Sequence, residues 1–237
     1  ALFVSKVIFW DFDGTLTYCH KMFSSSLRMV LDEHEKDHKI TEVCLEPWLR
    51  SGFPWLEPDK DYLHLRDPEA WWNNIYRIFE KAYIVNGVLP EKACIYAKEA
   101  RKYLVVPEHY NLYEDTMETL KCTKENGYRN IILSNHIPEL PKIAEGLGLM
   151  EYIDICISSA NVGFEKPHSK IFLQAIEIAG NPQEAWMVGD NLIADVRRAE
   201  AVGMRAVLVR RPSNEPVKYF SPDLKGVIKL LSQGDNL

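Results

Sequence analysis

Paired cysteines are missing from this sequence. Cys19, Cys44, Cys94, Cys122 and Cys156 are odd in number, scattered, and nowhere in a C-x-x-C pattern, which argues against a disulfide framework or a zinc site. They read as reduced thiols. No long apolar run is present either. The opening "LFVSKVIFW" is broken by Lys6 and runs into Asp11, too short and too polar for a membrane span or a secretory core with its cleavage site. The expected setting is cytoplasmic, with no membrane partner. Cations are in deficit, 28 Lys and Arg against 34 Asp and Glu, and the formal net charge of −6 argues against broad nucleic-acid binding. An anionic ligand must therefore be met by local positive groups. Internal repeats and low-complexity tracts are absent. What remains is 237 residues, 46% hydrophobic and 26% charged, enough apolar material for the core of one or two globular domains, with the oligomeric state left open.

Apolar, β-branched-rich runs of strand length recur at "KVIFWD", "RNIILSN", "IDICISS", "EAWMVGD" and "MRAVLVR". They hardly alternate, as expected of parallel strands buried on both faces. Helical segments lie between the later runs: "LYEDTMETLKCTKENG", "PELPKIAEGLG", "KPHSKIFLQAIEIAG" opened by a proline, and "NLIADVRRAEAVG". Strand and helix in alternation imply an α/β fold with a doubly wound parallel sheet. A last segment, "SPDLKGVIKLL", offers Ser221 as N-cap and Pro222 as first residue of a terminal helix.

About a hundred residues separate the first two strand runs, far more than a crossover needs. Helical periodicity recurs there in "KMFSSSLRMVLDEHEKD", "DPEAWWNNIYRIFEKAYIVNG" and "PEKACIYAKEARKYLV", while Pro47, Pro54, Pro58 and Pro68 break the chain between the first two. We expect an inserted helical cap domain at roughly residues 18–108, with the α/β catalytic core formed by residues 1–17 and 109–237.

Asp11 and Asp13 end the first strand, where residues i and i+2 project to one side and Gly14 permits a sharp turn. In a doubly wound sheet, ligands bind at the carboxyl ends of the strands. The same edge receives Ser134-Asn135-His136 after the second strand, Glu165-Lys166-Pro167 after the third, and Gly189-Asp190-Asn191 after the fourth, with Asp195 beyond. A lone D-x-D or G-D is common by chance. Four such clusters in order at strand ends are not.

Asp-x-Asp-Gly-Thr, a strand-terminal Ser, Lys-Pro and Gly-Asp-x-x-x-x-Asp resemble the haloacid dehalogenase superfamily at all four of its motifs, from Asp11 to Asp195. The insertion between the first two motifs resembles subclass I, with a helical C1 cap. The resemblance implies a Rossmann-like core and a phosphatase acting on small phosphorylated metabolites. Asp11 would be the nucleophile, forming an aspartyl-phosphate, and Asp13 the general acid and base. Mg²⁺ would be held by Asp11, the backbone carbonyl of Asp13, and Asp190. Ser134 and the backbone N–H of Asn135 would bind phosphoryl oxygens, Lys166 would balance charge, and Gly14 and Thr15 would shape the first loop around the phosphate. Pro167 would hold Lys166 extended and open the next helix. Asn191 and Asp195 would orient metal waters or Lys166.

Family dehalogenases lack a carboxylate two residues after the nucleophile, so Asp13 argues against dehalogenation. A phosphonate hydrolase would need a cap lysine of depressed pKa, and nothing around Lys21, Lys36 or Lys39 suggests one. A phosphomutase or other phosphoryl transferase shares all four motifs. A non-catalytic binding protein is disfavoured because every motif residue is present.

Other features take plainer readings. His34 and His38, at i and i+4, could clip a metal, but a solvated charged face is preferred. Trp48, Trp55, Trp71, Trp72, Tyr62, Tyr76 and Phe79 are assigned to packing of the insertion rather than to a ligand pocket. His136, following the strand-end serine, either faces the crevice or is a turn histidine, the latter at least as well supported; Phe12 is expected to turn into the core, and Arg197 and Arg198 to pair with surface acids. Tyr18, His20 and Lys21, just after the first loop, are candidate contacts for a leaving group.

Overall fold

The computed structural model describes residues 4–18 and 21–233. Its strands are β1 (Lys6–Trp10), β2 (Thr17–Tyr18), β3 (Asn111–Leu112), β4 (Tyr128–Ser134), β5 (Ile153–Ser158), β6 (Glu184–Gly189), β7 (Arg205–Val209) and β8 (Phe220–Ser221). Six of them form one parallel sheet in the order β5-β4-β1-β6-β7-β8. Each of the five apolar runs is a strand of this sheet, and β1, which carries Asp11 at its end, lies inside it. The chain moves outward from β1 to β4 and β5, then returns to β6 on the other side. The direction of winding reverses between β1 and β6, so a crevice opens there at the carboxyl ends of the strands.

Alternation along β1 explains why its sequence does not alternate. Val7 and Phe9 face one buried cluster with Ile131, Leu133 and Met187, while Ile8 and Trp10 face another with Ile132, Trp186 and Val188. Both faces are covered, so both need apolar side chains. Fully burying one such side chain is worth about 1.5–3 kcal/mol.

The helices are α1 (Met22–His34), α2 (Glu42–Leu45), α3 (Pro68–Val85), α4 (Pro90–Leu104), α5 (Thr116–Glu125), α6 (Leu140–Gly146), α7 (Ser159–Val162), α8 (Ser169–Ile178), α9 (Arg198–Ala201) and α10 (Val227–Gln233). Helices α1–α4 fall in the long insertion, and α3 starts as its sequence dictates, with Asp67 accepting from Ala70 N at 3.0 Å and Pro68 at the first position. Strands β2 and β3 pair antiparallel, so the chain leaves the sheet and returns to it side by side. Leu27, Trp72, Phe79 and Tyr83 of the insertion join the apolar cluster on the Trp10 face of the sheet. Glu139, just before α6, ties the two parts together by accepting from Trp72 Nε1 at 2.9 Å and from Arg101 Nη2 at 2.7 Å.

Two helix starts differ from expectation. Pro167 does not open α8: its peptide bond with Lys166 is cis, and His168 caps the helix by accepting from Lys170 N at 3.1 Å. Ser221 is not an N-cap but the last residue of β8, and its hydroxyl donates to Asp223 O at 2.6 Å, closing a turn before α10. Ser-Pro-Asp serves a turn as well as a cap, and pairing of Val209 with Ser221 decides between them.

Candidate active site

Asp11 continues the β1–β6 ladder through its N–H to Val188 O at 2.9 Å, which fixes its backbone before its side chain is considered. Phe12 turns beneath it, fully buried against the rings of Tyr110 and His136, and Phe12 O accepts from the N–H groups of Thr15, Leu16 and Thr17. The loop is therefore a tight knot around one carbonyl. Gly14 sits in it at φ +83°, and a Cβ there would lie 2.3 Å from Asp190 Oδ2. Both the left-handed backbone and the close approach require glycine.

Lys166 is almost fully buried, and its ammonium lies 3.0 Å from Asp11 Oδ1 and 2.6 Å from Asp195 Oδ1. Burial works against the charge, but the two carboxylates prevail and raise its pKa, so the lysine stays protonated. Ser134, ending β4, donates to the same Asp11 oxygen at 3.2 Å, and Thr15 reaches the other at 3.5 Å. Asn191 fixes the far side. Its N–H donates to Asp195 Oδ2 at 3.0 Å, and its side chain caps the π-helical turn Leu192–Arg197 by accepting from Ile193 and Ala194 N–H.

Asp11, Asp190 and Asp195 offer carboxylate oxygens within 4.8 Å of one another. Burial and then the charge of Asp11 push Asp190 up to about 7 and Asp195 up to about 6. Three hard oxygen donors under mutual repulsion fit a divalent cation such as Mg²⁺. Asp195 is already held by Lys166 and Asn191, so the carboxylates left for such an ion are Asp11 and Asp190.

Asn135 lines the cavity above this cluster, but its side chain closes a ring with the lysine loop: Nδ2 donates to Lys166 O at 2.9 Å and Oδ1 accepts from Lys166 N at 2.7 Å. It thus places the backbone of Lys166. Thr15 is fully buried and points at Asp11 rather than into the cavity, while its carbonyl is gripped by Arg210, which also pairs with Asp115 at 2.8 Å.

Three further groups contact the site residues in ways the sequence did not assign. His136 lies 3.1 Å from Asp13 Oδ2. Arg211 pairs with Asp190 Oδ2 at 2.7 Å. Glu165 is buried beside Lys166, and burial pushes its carboxyl up to about 7, with Ser159 and Lys166 only partly offsetting this. The pairing of Arg211 is unsigned in the sequence, but the position of His136 two residues after a strand-end serine was a usable signal.

A cavity of about 740 Å³ opens over Asp13, His136, Lys166 and Asn191. The insertion contributes Lys21, Met22, Phe23, Glu46, Leu49, Arg50 and Trp55 to its wall. Of the three candidate leaving-group contacts, Lys21 is on this wall, ion-paired to Glu46 at 2.8 Å, Tyr18 packs on Tyr113 instead, and His20 lies outside the described residues, as does Cys19. Trp71, Trp72 and Phe79 are core residues. His34 and His38 engage different acids: His34 meets Glu99 and His38 meets Asp32, each at 2.6 Å. Arg197 lies near Glu200 and Glu215. Among the described residues no helix is long and apolar enough to cross a membrane.

Comparisons with known proteins agree with the geometry. The family model for haloacid dehalogenase-like hydrolases matches residues 5–203. Phosphoserine phosphatase of Thermus thermophilus is 33% identical over 151 residues, which is 63% of this chain and 59% of that protein. Glyceraldehyde 3-phosphate phosphatase of Methanopyrus kandleri is 33% identical over 222 residues, 92% of this chain and 89% of the relative. Human haloacid dehalogenase-like hydrolase domain-containing protein 3 is 28% identical, covering 95% of this chain and 93% of its own. A phosphatase structure from Thermococcus onnurineus superposes with a TM-score of 0.62 at 26% identity, covering 95% of this chain and 97% of that one. A 2-haloacid dehalogenase from Pseudomonas syringae gives 0.70 at 18% identity, covering 97% and 99%, and shares the fold. With its parallel sheet, its four polar clusters gathered at one edge and a family match running through all of them, this chain belongs to the haloacid dehalogenase-like hydrolases and is an enzyme of that family.

Proposed function

We propose that the protein is a Mg²⁺-dependent phosphatase of small phosphomonoesters, working through an aspartyl-phosphate on Asp11. The observation that carries this reading is the convergence on one Asp11 oxygen of Lys166 at 3.0 Å and Ser134 at 3.2 Å, with Asp13 open to the cavity above. Those donors hold the carboxylate in one orientation and would meet the oxygens of an incoming phosphoryl group. Asp11 would attack phosphorus as the ester P–O bond breaks, and Asp13 would deliver its proton to the departing alcohol oxygen. Asp13, now a carboxylate, would take a proton from water as that water attacks phosphorus and the bond to Asp11 breaks, restoring both groups. Mg²⁺, held by Asp11, Asp190 and the carbonyl of Asp13, would supply Lewis-acid charge neutralisation for the phosphoryl oxygens.

Residues 18–108 act in this reading as a cap that encloses the leaving group. The curated relatives named for phosphoserine and glyceraldehyde 3-phosphate support a small, soluble phosphorylated metabolite as substrate. Asp13 disfavours dehalogenation, since a departing halide needs no proton. The test is Asp11→Asn, which should lower phosphate release from an aryl phosphate by at least about 10⁴-fold while leaving the circular dichroism spectrum unchanged. Chelation should stop the wild-type enzyme and Mg²⁺ restore it. Turnover by Asp11→Asn at the wild-type rate would refute the proposed nucleophile.

A further inference from the structure

Asp13 is the most exposed carboxylate of the site, its side chain 48% accessible, yet both of its oxygens are engaged from beneath. Thr17 Oγ1 donates to Oδ1 at 3.3 Å, and His136 Nε2 lies 3.1 Å from Oδ2. The histidine is only 5% exposed and wedged edge-on against Phe12, with Tyr110 on another side. Its backbone is pinned by the N–H donating to Ser159 Oγ at 3.1 Å, and Nδ1 has no hydrogen-bond partner among the described residues. A buried imidazole with one carboxylate neighbour and an unpartnered Nδ1 carries its proton on Nε2 and donates it to Asp13.

We infer that His136 is a positioning residue: the aromatic cage fixes its ring, and the ring fixes the carboxyl group of Asp13 so that its cavity-facing O–H meets the leaving-group oxygen. This rests on the phosphatase reading above. Without His136, Thr17 alone would restrain a half-exposed side chain that is otherwise free to rotate into solvent. A small displacement of a proton donor falls hardest on leaving groups that need the proton.

The experiment is a leaving-group series. kcat/KM is measured for nitrophenyl, phenyl and alkyl phosphates with wild-type, His136→Phe and His136→Gln proteins, all saturated with Mg²⁺. This ratio reports the steps up to departure of the alcohol, and nitrophenolate departs without a proton. His136→Phe, which refills the cage but donates nothing, should lower kcat/KM by about tenfold or more for alkyl phosphates and by less than about threefold for the nitrophenyl ester. His136→Gln, which can offer an N–H at a similar reach, should move the dependence back toward wild type. A uniform drop across the series would make the residue merely structural and overturn the inference, as would unchanged alkyl turnover. Should His136→Phe fail to fold, His136→Leu is compared with His136→Gln on the same criteria. A wild-type enzyme that hydrolyses no ester would overturn the phosphatase reading and this inference with it, whereas an active wild type with parallel variants overturns the inference alone.

Discussion

Glu165 gives a quantitative test of the charge arrangement around Lys166. It is 1% exposed, its Oε2 has no hydrogen-bond partner among the described residues, and burial raises its carboxyl from 4.5 to about 7 despite Ser159 and Lys166. An acid with a raised folded-state pKa binds more protons folded than unfolded, so stability falls as pH rises from about 4.5 to about 7 and is level above that. At 1.36 kcal/mol per unit, this elevation corresponds to a penalty of about 3 kcal/mol at pH 8 that is nearly absent at pH 4.5. Glu165→Gln keeps the shape of the protonated acid and cannot ionise. It should therefore match wild type near pH 4.5 within about 1 kcal/mol and exceed it by about 2–3 kcal/mol at pH 8, a rise of roughly 4–12 °C in Tm for a chain of this size. Urea unfolding across this pH range, with Mg²⁺ saturating so that the aspartate cluster contributes a constant, reads the difference. A stability gap that does not change with pH would refute the raised pKa of a buried Glu165. The functional corollary is that well below pH 7 Glu165 adds little negative charge beside Lys166, which is paired with Asp11 and Asp195.

Two further perturbations probe the same cluster. Lys166→Met leaves Asp11 and Asp195 buried without their ammonium and should cost about 3–5 kcal/mol in chemical denaturation, whereas adding Asp195→Asn should recover part of that loss. Strict additivity of the two substitutions would mean that the pair is not coupled. Gly14→Ala forces a side chain into φ +83° and places its Cβ 2.3 Å from Asp190 Oδ2, so Mg²⁺ affinity measured by calorimetry should fall by about tenfold or more. Unchanged affinity would remove Asp190 from the proposed metal site.

Much of this molecule was legible because its chemistry is confined to strand ends. The five apolar runs fix five strands, and polar residues directly following β1, β4 and β6 have few places to go except the crevice, which Lys166 reaches from beyond the short helix α7 after β5. What was hidden depends on partners that a local pattern does not carry. His136 looked like a turn histidine because its partner, Asp13, is 123 positions earlier, and only the adjacency of β1 and β4 brings the two together. Arg210 and Arg211 follow β7 in a stretch without periodicity, yet the first grips Thr15 and Asp115 and the second grips Asp190, because β7 lies beside β6. Ser221 and Pro167 were misread for a related reason. Serine and proline suit turns and helix starts equally, and it is the β7–β8 pairing and the capping bond of His168 that select the turn.

The two halves of the cavity divide the work by chemistry. The sheet edge carries the charged groups Asp11, Asp13, Asp190 and Asp195, with Lys166 between two of them and Arg211 on a third. The insertion supplies mainly shape, through Met22, Phe23, Leu49 and Trp55, and its Lys21 is already neutralised by Glu46. Arg50 is the wall cation for which no ion pair is found among the described residues. Since Phe23 and Trp55 pack against each other and against Phe53, the wall is a continuous aromatic surface rather than a set of independent contacts. In the proposed phosphatase, a change at Trp55 would therefore alter the space for the leaving group without touching Asp11 or Asp13. Under the same proposal, selectivity among esters and the chemical step would be separable, because they would arise on different segments of the chain, joined through the paired strands β2 and β3.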